Sequence, residues 1–224
     1  MKHQSLFEKM SEVIEEKSIL KHPFYVCWQK GLLTKAELQK YMKQYYHLES
    51  AFPRFQSSVH ANCADSEMRK VILKDLVSEE GPATNHVDQL ITFSSALGVD
   101  KASLENTAAH QNTLEAIDTI LGLTSNKNTN SGFAALATYK QQIKDVAVTK
   151  ESGLKEFYGI DSPEALQFFR THANKNIAWH ELLDSSVTEA DYQTVLDSTT
   201  ALCEAWWHYL DGVTTQDMHM RMAC

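Results

Sequence analysis

The sequence predicts an all-α globule, on three observations. Four prolines and eight glycines are few for 224 residues. Apolar positions recur at helical rather than alternating spacing, and capping signals stand in front of the periodic stretches. At this length the chain suits one domain, residues 1–224, with a sizeable core.

The elements follow in order. A first helix spans about residues 4–20 and ends before His22-Pro23, because the residue preceding proline leaves helical backbone space. Thr34 with Glu37 forms a capping-box pair that opens a long helix to about residue 63, with Pro53 kinking it. A third helix covers about 65–80 and stops at Gly81-Pro82; a fourth covers about 85–97, with Gly98 as its stop. A fifth spans about 112–123 and is followed by the polar linker SNKNTNSG. A sixth covers about 132–150, its pattern running on towards Tyr158. Ser162-Pro163-Glu164 is an N-cap followed by proline at the first helical position, and it opens the seventh. Thr188 caps the last, which reaches about residue 212 or beyond. Seven or eight such helices make a compact bundle.

Composition excludes several classes of partner. A net charge of -8 argues against non-specific nucleic-acid binding, which needs a basic surface. No apolar stretch approaches the roughly 18 residues of a membrane helix. The opening MKHQSLFEKMSEVIEEK is too charged for a signal peptide. Cys27, Cys63, Cys203 and Cys224 are scattered with no CxxC, which reads as reduced thiols in a cytoplasmic protein.

Two short stretches carry candidate chemistry. In FFRTHANKNIAWHELL, positions His172, Asn176 and Trp179 fall on one face if the helix continues through them. In VSEEGPATNHVDQL, Glu79 and His86 stand on either side of the Gly81-Pro82 break. Two histidines and one carboxylate are the minimum set for a non-haem iron site. Lys140 follows Phe133, Leu136 and Ala137 at helical spacing, so it points inward and needs a partner or must give up its proton. Glu79 is the expected partner.

From about residue 5 to 215 the chain resembles the CADD and PqqC-like branch of the TenA/haem-oxygenase-like fold. The stretches that carry the resemblance are HPFYVCWQKGLLTKAELQKYMKQYY, AFPRF, SSVHANC, SEEGPATNH, LGV and FFRTH. It implies a haem-oxygenase-like seven-helix bundle with a central pocket, usually a homodimer. Many such proteins are diiron oxidases that use O2, PqqC is an oxidase without a metal, and TenA members are thiamin-pyrimidine hydrolases with a cysteine nucleophile. In the diiron members the positions matching Glu79, His86 and His172 are ligands, the glutamate bridging both irons. The position matching Lys140 is a glutamate there, and those matching Asn176 and Trp179 are an aspartate and a histidine. The ligands private to the second iron are therefore replaced in this chain. A protonated lysine cannot ligate, an amide is a weak ligand, and an indole is none. Three readings stand open. Either one iron binds His86, His172 and Glu79 beside the Lys140 cation, or Glu79 pairs fully with Lys140 and the pocket holds no metal, or a full diiron site forms with unexpected ligands.

The resemblance also implies roles for Tyr25, Tyr41 and Lys150. In CADD-type proteins an internal tyrosine supplies the ring of para-aminobenzoate and a lysine the amine. The expected function is therefore an O2-dependent oxidase of a small aromatic or amino-acid-derived molecule, or of its own tyrosine. The alternatives are an inactive binding or interaction member and a TenA-like aminopyrimidine hydrolase.

Overall fold

The computed structural model describes residues 5–174 and 179–222. Twelve α-helices and two short 3-10 turns appear among the described residues, with no strand. In chain order the helices are α1 (Leu6–Glu16), α2 (Pro23–Gln29), α3 (Lys35–Asn62), α4 (Ser66–Glu80), α5 (His86–Ala96) and α6 (Lys101–Asn106). They continue with α7 (Gln111–Thr124), α8 (Thr129–Phe157), α9 (Pro163–Ala173), α10 (Trp179–Ser186), α11 (Tyr192–Asp211) and α12 (Gln216–Met222). No described helix is long and apolar enough to cross a membrane.

The caps explain most boundaries. Thr34 and Glu37 exchange reciprocal bonds at the start of α3, and Asn85 and Asp88 do the same at α5. Ser162 caps α9 with Pro163 in its first turn, and Gly98 takes the positive φ (82°) of a helix stop. Three expected boundaries need correction. The first helix ends at Glu16, and the segment PFYVCWQ forms a helix of its own, because Pro23 is pre-set for a first turn and His22 Nδ1 accepts the Phe24 N–H. α8 begins at Thr129, inside the stretch read as a linker, because Asn128 accepts the Asn130 N–H. The helix expected to carry His172, Asn176 and Trp179 together is two helices. α9 ends at Ala173, where the Asn174 side chain turns back to donate to the Arg170 carbonyl at 2.9 Å. Trp179 is the first described residue of α10, and Asn176 lies outside the described residues.

The two longest helices organise the interior. α3 packs on α4, α5 and α7, and α8 packs on α7, α9, α10 and α11. The short α2 lies against α8, where Gly153 makes the approach possible: a Cβ there would sit 2.7 Å from Trp28 Nε1. Tyr25 on α2 is thereby brought beside the inner face of α8, which carries the buried Lys150. Along α3 the inward stripe runs Leu38, Tyr41, Met42, Tyr45, Leu48, Glu49, Phe52, Phe55 and Gln56, apolar except where it crosses the site.

Candidate metal centre and tyrosine array

The centre is assembled from five helices. α3 supplies Glu49, α4 supplies Asp75 and Glu79, α8 supplies Lys140, and α9 supplies His172. His86 is the first residue of α5, and the Gly81 stop and Asn85 cap turn the chain so that it faces Glu79. The Glu49, Asp75, Glu79, His86 and His172 side chains are all buried, and that of Lys140 is 7% exposed.

The two imidazoles lie side by side, ring centroids 4.5 Å apart. Each has one nitrogen tied off. His172 Nδ1 donates to the Phe168 carbonyl at 2.8 Å, which leaves the lone pair on Nε2. That Nε2 faces Glu49 Oε1 at 3.7 Å, beyond hydrogen-bond reach. His86 Nδ1 is in short contact with Glu79 Oε2, while its Nε2 has no hydrogen-bond partner. Neither carboxylate oxygen of Glu49 has one either. Buried polar atoms left in this way are costly, and they mark a place built for something to bind.

One ligand atom from each of Glu49, His86 and His172 lies within 4.8 Å of the others. Two imidazoles and a carboxylate, with the far side of one imidazole held by a second carboxylate, is how proteins prepare a metal site. Burial pulls the His172 pKa well below its ordinary range, His86 adding to the effect, so the ring is neutral and can ligate. Burial and the nearby Glu79 push the Glu49 carboxyl up to about 7, against the opposing pull of His86, Tyr45 and Lys140. The Tyr45 hydroxyl is close enough to favour the Glu49 charge, although it is not in hydrogen-bonding geometry with it.

Sequence reasoning did not single out Glu49. A signal was available: it stands four residues after Tyr45 on the apolar stripe of α3, where a carboxylate has no reason to be unless it is used. Asp75 was missed too, although it continues the buried stripe Met68, Ile72 and Glu79 along α4. Glu79, named as a bridging ligand, stands outside the Glu49, His86 and His172 group. Lys140 Nζ lies 3.3 Å from Glu79 Oε1 and 2.9 Å from Asp75 Oδ2. Gln56 Nε2 donates to the same two oxygens, at 3.2 and 2.9 Å. Burial alone would strip the Lys140 proton, but Glu79 and Asp75 outweigh it and its pKa is raised. Trp179 is wholly buried and packs by its ring against Phe133, centroids 6.2 Å apart.

Beside the centre, Tyr25, Tyr41 and Lys150 form a second polar array. Lys150 Nζ donates to the Tyr41 hydroxyl at 2.7 Å, and the Tyr41 and Tyr25 hydroxyls are 3.4 Å apart. Tyr45 connects the two regions: its ring stacks on Tyr41, centroids 5.4 Å apart, and lies 4.2 Å from Lys150 Nζ. Burial holds both Tyr25 and Tyr41 as neutral phenols well above their ordinary range. Burial also pushes the Lys150 amine down to about 7, with Glu49 alone opposing.

Most of the chain, residues 9–214, matches the model of the TENA/THI-4/PQQC family. A 4-aminobenzoate synthase of Nitrosomonas europaea is 32% identical over 221 residues, covering 92% of this chain and 89% of that protein. A 4-aminobenzoate synthase of Chlamydia pneumoniae is 34% identical over 212 residues, covering 93% and 94%. Among solved structures, a domain with a heme oxygenase-like fold from Shewanella denitrificans superposes with a TM-score of 0.76, at 18% identity, covering 99% of this chain and 94% of its own. The all-helical arrangement is thus the haem-oxygenase-like fold, and with nearly its whole length inside the family match the chain belongs to the TENA/THI-4/PQQC family.

Proposed function

We propose that this protein is an oxidase that forms 4-aminobenzoate from one of its own tyrosines, with Lys150 as the source of the amine nitrogen. The observation that carries the reading is the hydrogen-bonded chain Lys150–Tyr41–Tyr25 beside a buried Glu/His/His group. Similarity over nearly the whole chain to proteins named 4-aminobenzoate synthase supports it.

The chemistry of the product fits the array. The ring and benzylic carbon of a tyrosine contain every carbon of 4-aminobenzoate. The phenolic oxygen is para to that benzylic carbon, as the amine is para to the carboxyl. Three changes are needed: the Cα–Cβ bond breaks, Cβ is oxidised to carboxylate, and nitrogen replaces the phenolic oxygen. An amine placed against a phenolic oxygen is where the third change requires it. Lys150 can act as a nucleophile because its pKa is pushed down to about 7 by burial among aromatic rings, so an unprotonated fraction exists at neutral pH. The transferred nitrogen leaves Cε as an aldehyde carbon, the phenolic oxygen departs as water, Cα takes a hydrogen and becomes a glycine residue, and O2 accepts the electrons given up by Cβ and Cε.

Glu49, His86 and His172 would hold the metal, and two histidines with one carboxylate suit non-haem iron. Iron bound there supplies the one-electron oxidation of a phenol by O2. The chain's own residues do the rest. Glu79 fixes the His86 ring, the Phe168 carbonyl fixes the His172 ring, and packed rings exclude water from the phenols. Among the described residues, the thiols Cys27, Cys63 and Cys203 pair with Met218, Asp65 and Gln142 rather than with a residue of the centre, which gives a hydrolase-type nucleophile no support there.

Labelling tests the reading. Protein carrying ring-13C tyrosine and ε-15N lysine, supplied with iron, reductant and O2, releases 4-aminobenzoate bearing both labels. Peptide mapping of the spent chain then finds the missing mass at Tyr25 or Tyr41 and at Lys150. Unlabelled product, or none, overturns the proposal.

A further inference from the structure

The contacts around the centre limit what it can hold. Lys140 Nζ sits 2.9 Å from Asp75 Oδ2 and 3.3 Å from Glu79 Oε1, and a metal ion taking the same oxygens would be pressed against that ammonium in a place with little water, which is expensive.

The oxygens and nitrogens divide in the same way. Glu79 Oε1 is taken by Lys140 and Gln56, and Glu79 Oε2 by His86. Asp75 Oδ2 is taken by Lys140 and Gln56. The unsatisfied atoms, His86 Nε2 and both Glu49 oxygens, converge with His172 on the other side of the imidazole pair.

We propose that this centre binds a single divalent metal through Glu49, His86 and His172, that Lys140, gripped by Asp75 and Glu79, supplies the charge of a second ion, and that Glu79 orients His86 without ligating. The inference rests on the functional reading only for the identity of the metal as iron. Lys140 is then a permanent internal cation, and Glu79 a positioning residue whose effect reaches the metal through the His86 ring.

The test is metal content, read without turnover. The full chain is stripped, reloaded anaerobically with Fe(II), desalted and analysed for metal, and Mn(II)-loaded samples are examined by electron paramagnetic resonance. Wild type retains one metal per chain, with the spectrum of an isolated Mn(II) ion. Glu49→Ala retains almost none. Glu79→Gln retains one, with affinity weakened about 10–100-fold, as expected for an outer-shell partner. Lys140→Glu replaces the ammonium with a third carboxylate beside Asp75 and Glu79 and takes up a second ion. Two metals or none in wild type overturn the proposal, as does an exchange-coupled Mn(II) pair. So does full occupancy in Glu49→Ala with loss in Glu79→Gln. Should Lys140→Glu fail to fold, the wild-type count and the two glutamate variants still decide. One metal bound without labelled 4-aminobenzoate would defeat the functional reading and leave this one standing; two metals with labelled product would do the reverse.

Discussion

Lys140 and Lys150 sit on the same helix, α8, about 15 Å apart along its axis at helical rise, and both side chains are buried. Their chemistry is opposite. Lys140 meets two carboxylates from α4, which hold its proton more firmly than water would. Lys150 meets aromatic rings from α2, α3 and α9 and one phenolic hydroxyl, so burial wins and its pKa is pushed down to about 7. The difference lies in what the facing helices carry. One lysine is an electrostatic fixture, and the other is an amine with a usable lone pair.

The largest expected effect separates the two at once. Lys150→Met and Lys150→Arg should each reduce 4-aminobenzoate to background, since neither retains an amine that can lose its proton. Chromatographic yield of product per chain measures this. If Lys150→Arg makes product at the wild-type level, Lys150 is not the amine donor.

Stability should rank the pair the other way. Lys140→Met leaves Asp75 and Glu79 buried without their cation and should cost about 3–5 kcal/mol in urea unfolding. Lys150→Met removes no carboxylate's partner and should cost less than about 1.5 kcal/mol. Equal losses would mean that the two environments are less distinct than their contacts suggest.

A pH series sharpens this. The folded-state pKa of Lys150, about 7, lies below the ordinary 10.5 of the unfolded chain, so between them the unfolded state binds the extra proton. The burial penalty is therefore present in full below pH 7 and fades as pH rises towards 10.5, and stability gains with pH across that window. Relative to Lys150→Met, wild type should gain a few kcal/mol between those limits, an upper bound on the effect. A flat difference would show that the lysine is not held neutral by its surroundings. The smallest expected effect concerns Tyr45→Phe, which keeps the ring under Lys150 and removes only the hydroxyl near Glu49. It should move the Lys150 midpoint, followed by pH-dependent amine labelling, by less than about half a unit.

The fold was readable because capping is local chemistry. Thr34 with Glu37 and Ser162 with Pro163 announce their helices within four residues. The short α2, α6 and α12 were not readable, since seven residues or fewer give no periodic pattern and depend on packing. Of the centre, Glu79, His86 and His172 stood out mainly by the family resemblance of their stretches, and Lys140 by an inward-pointing charge. Glu49 and Asp75 did not, because each sits inside an apolar stripe of a long helix and is noticed only when the opposite wall is known. The spacing argument for Asn176 and Trp179 assumed one continuous helix, and Asn174 ends that helix early.

Tyr25 and Tyr41 are each only 1% exposed and are packed among Phe24, Trp28 and Tyr45. A chain that has given up either ring keeps its backbone but carries a ring-sized void in its core. Losing a buried aromatic ring costs about 3–5 kcal/mol, a large share of the stability of a domain. On the proposed reaction the spent molecule would therefore be marked for proteolysis, and each chain would yield product at most once.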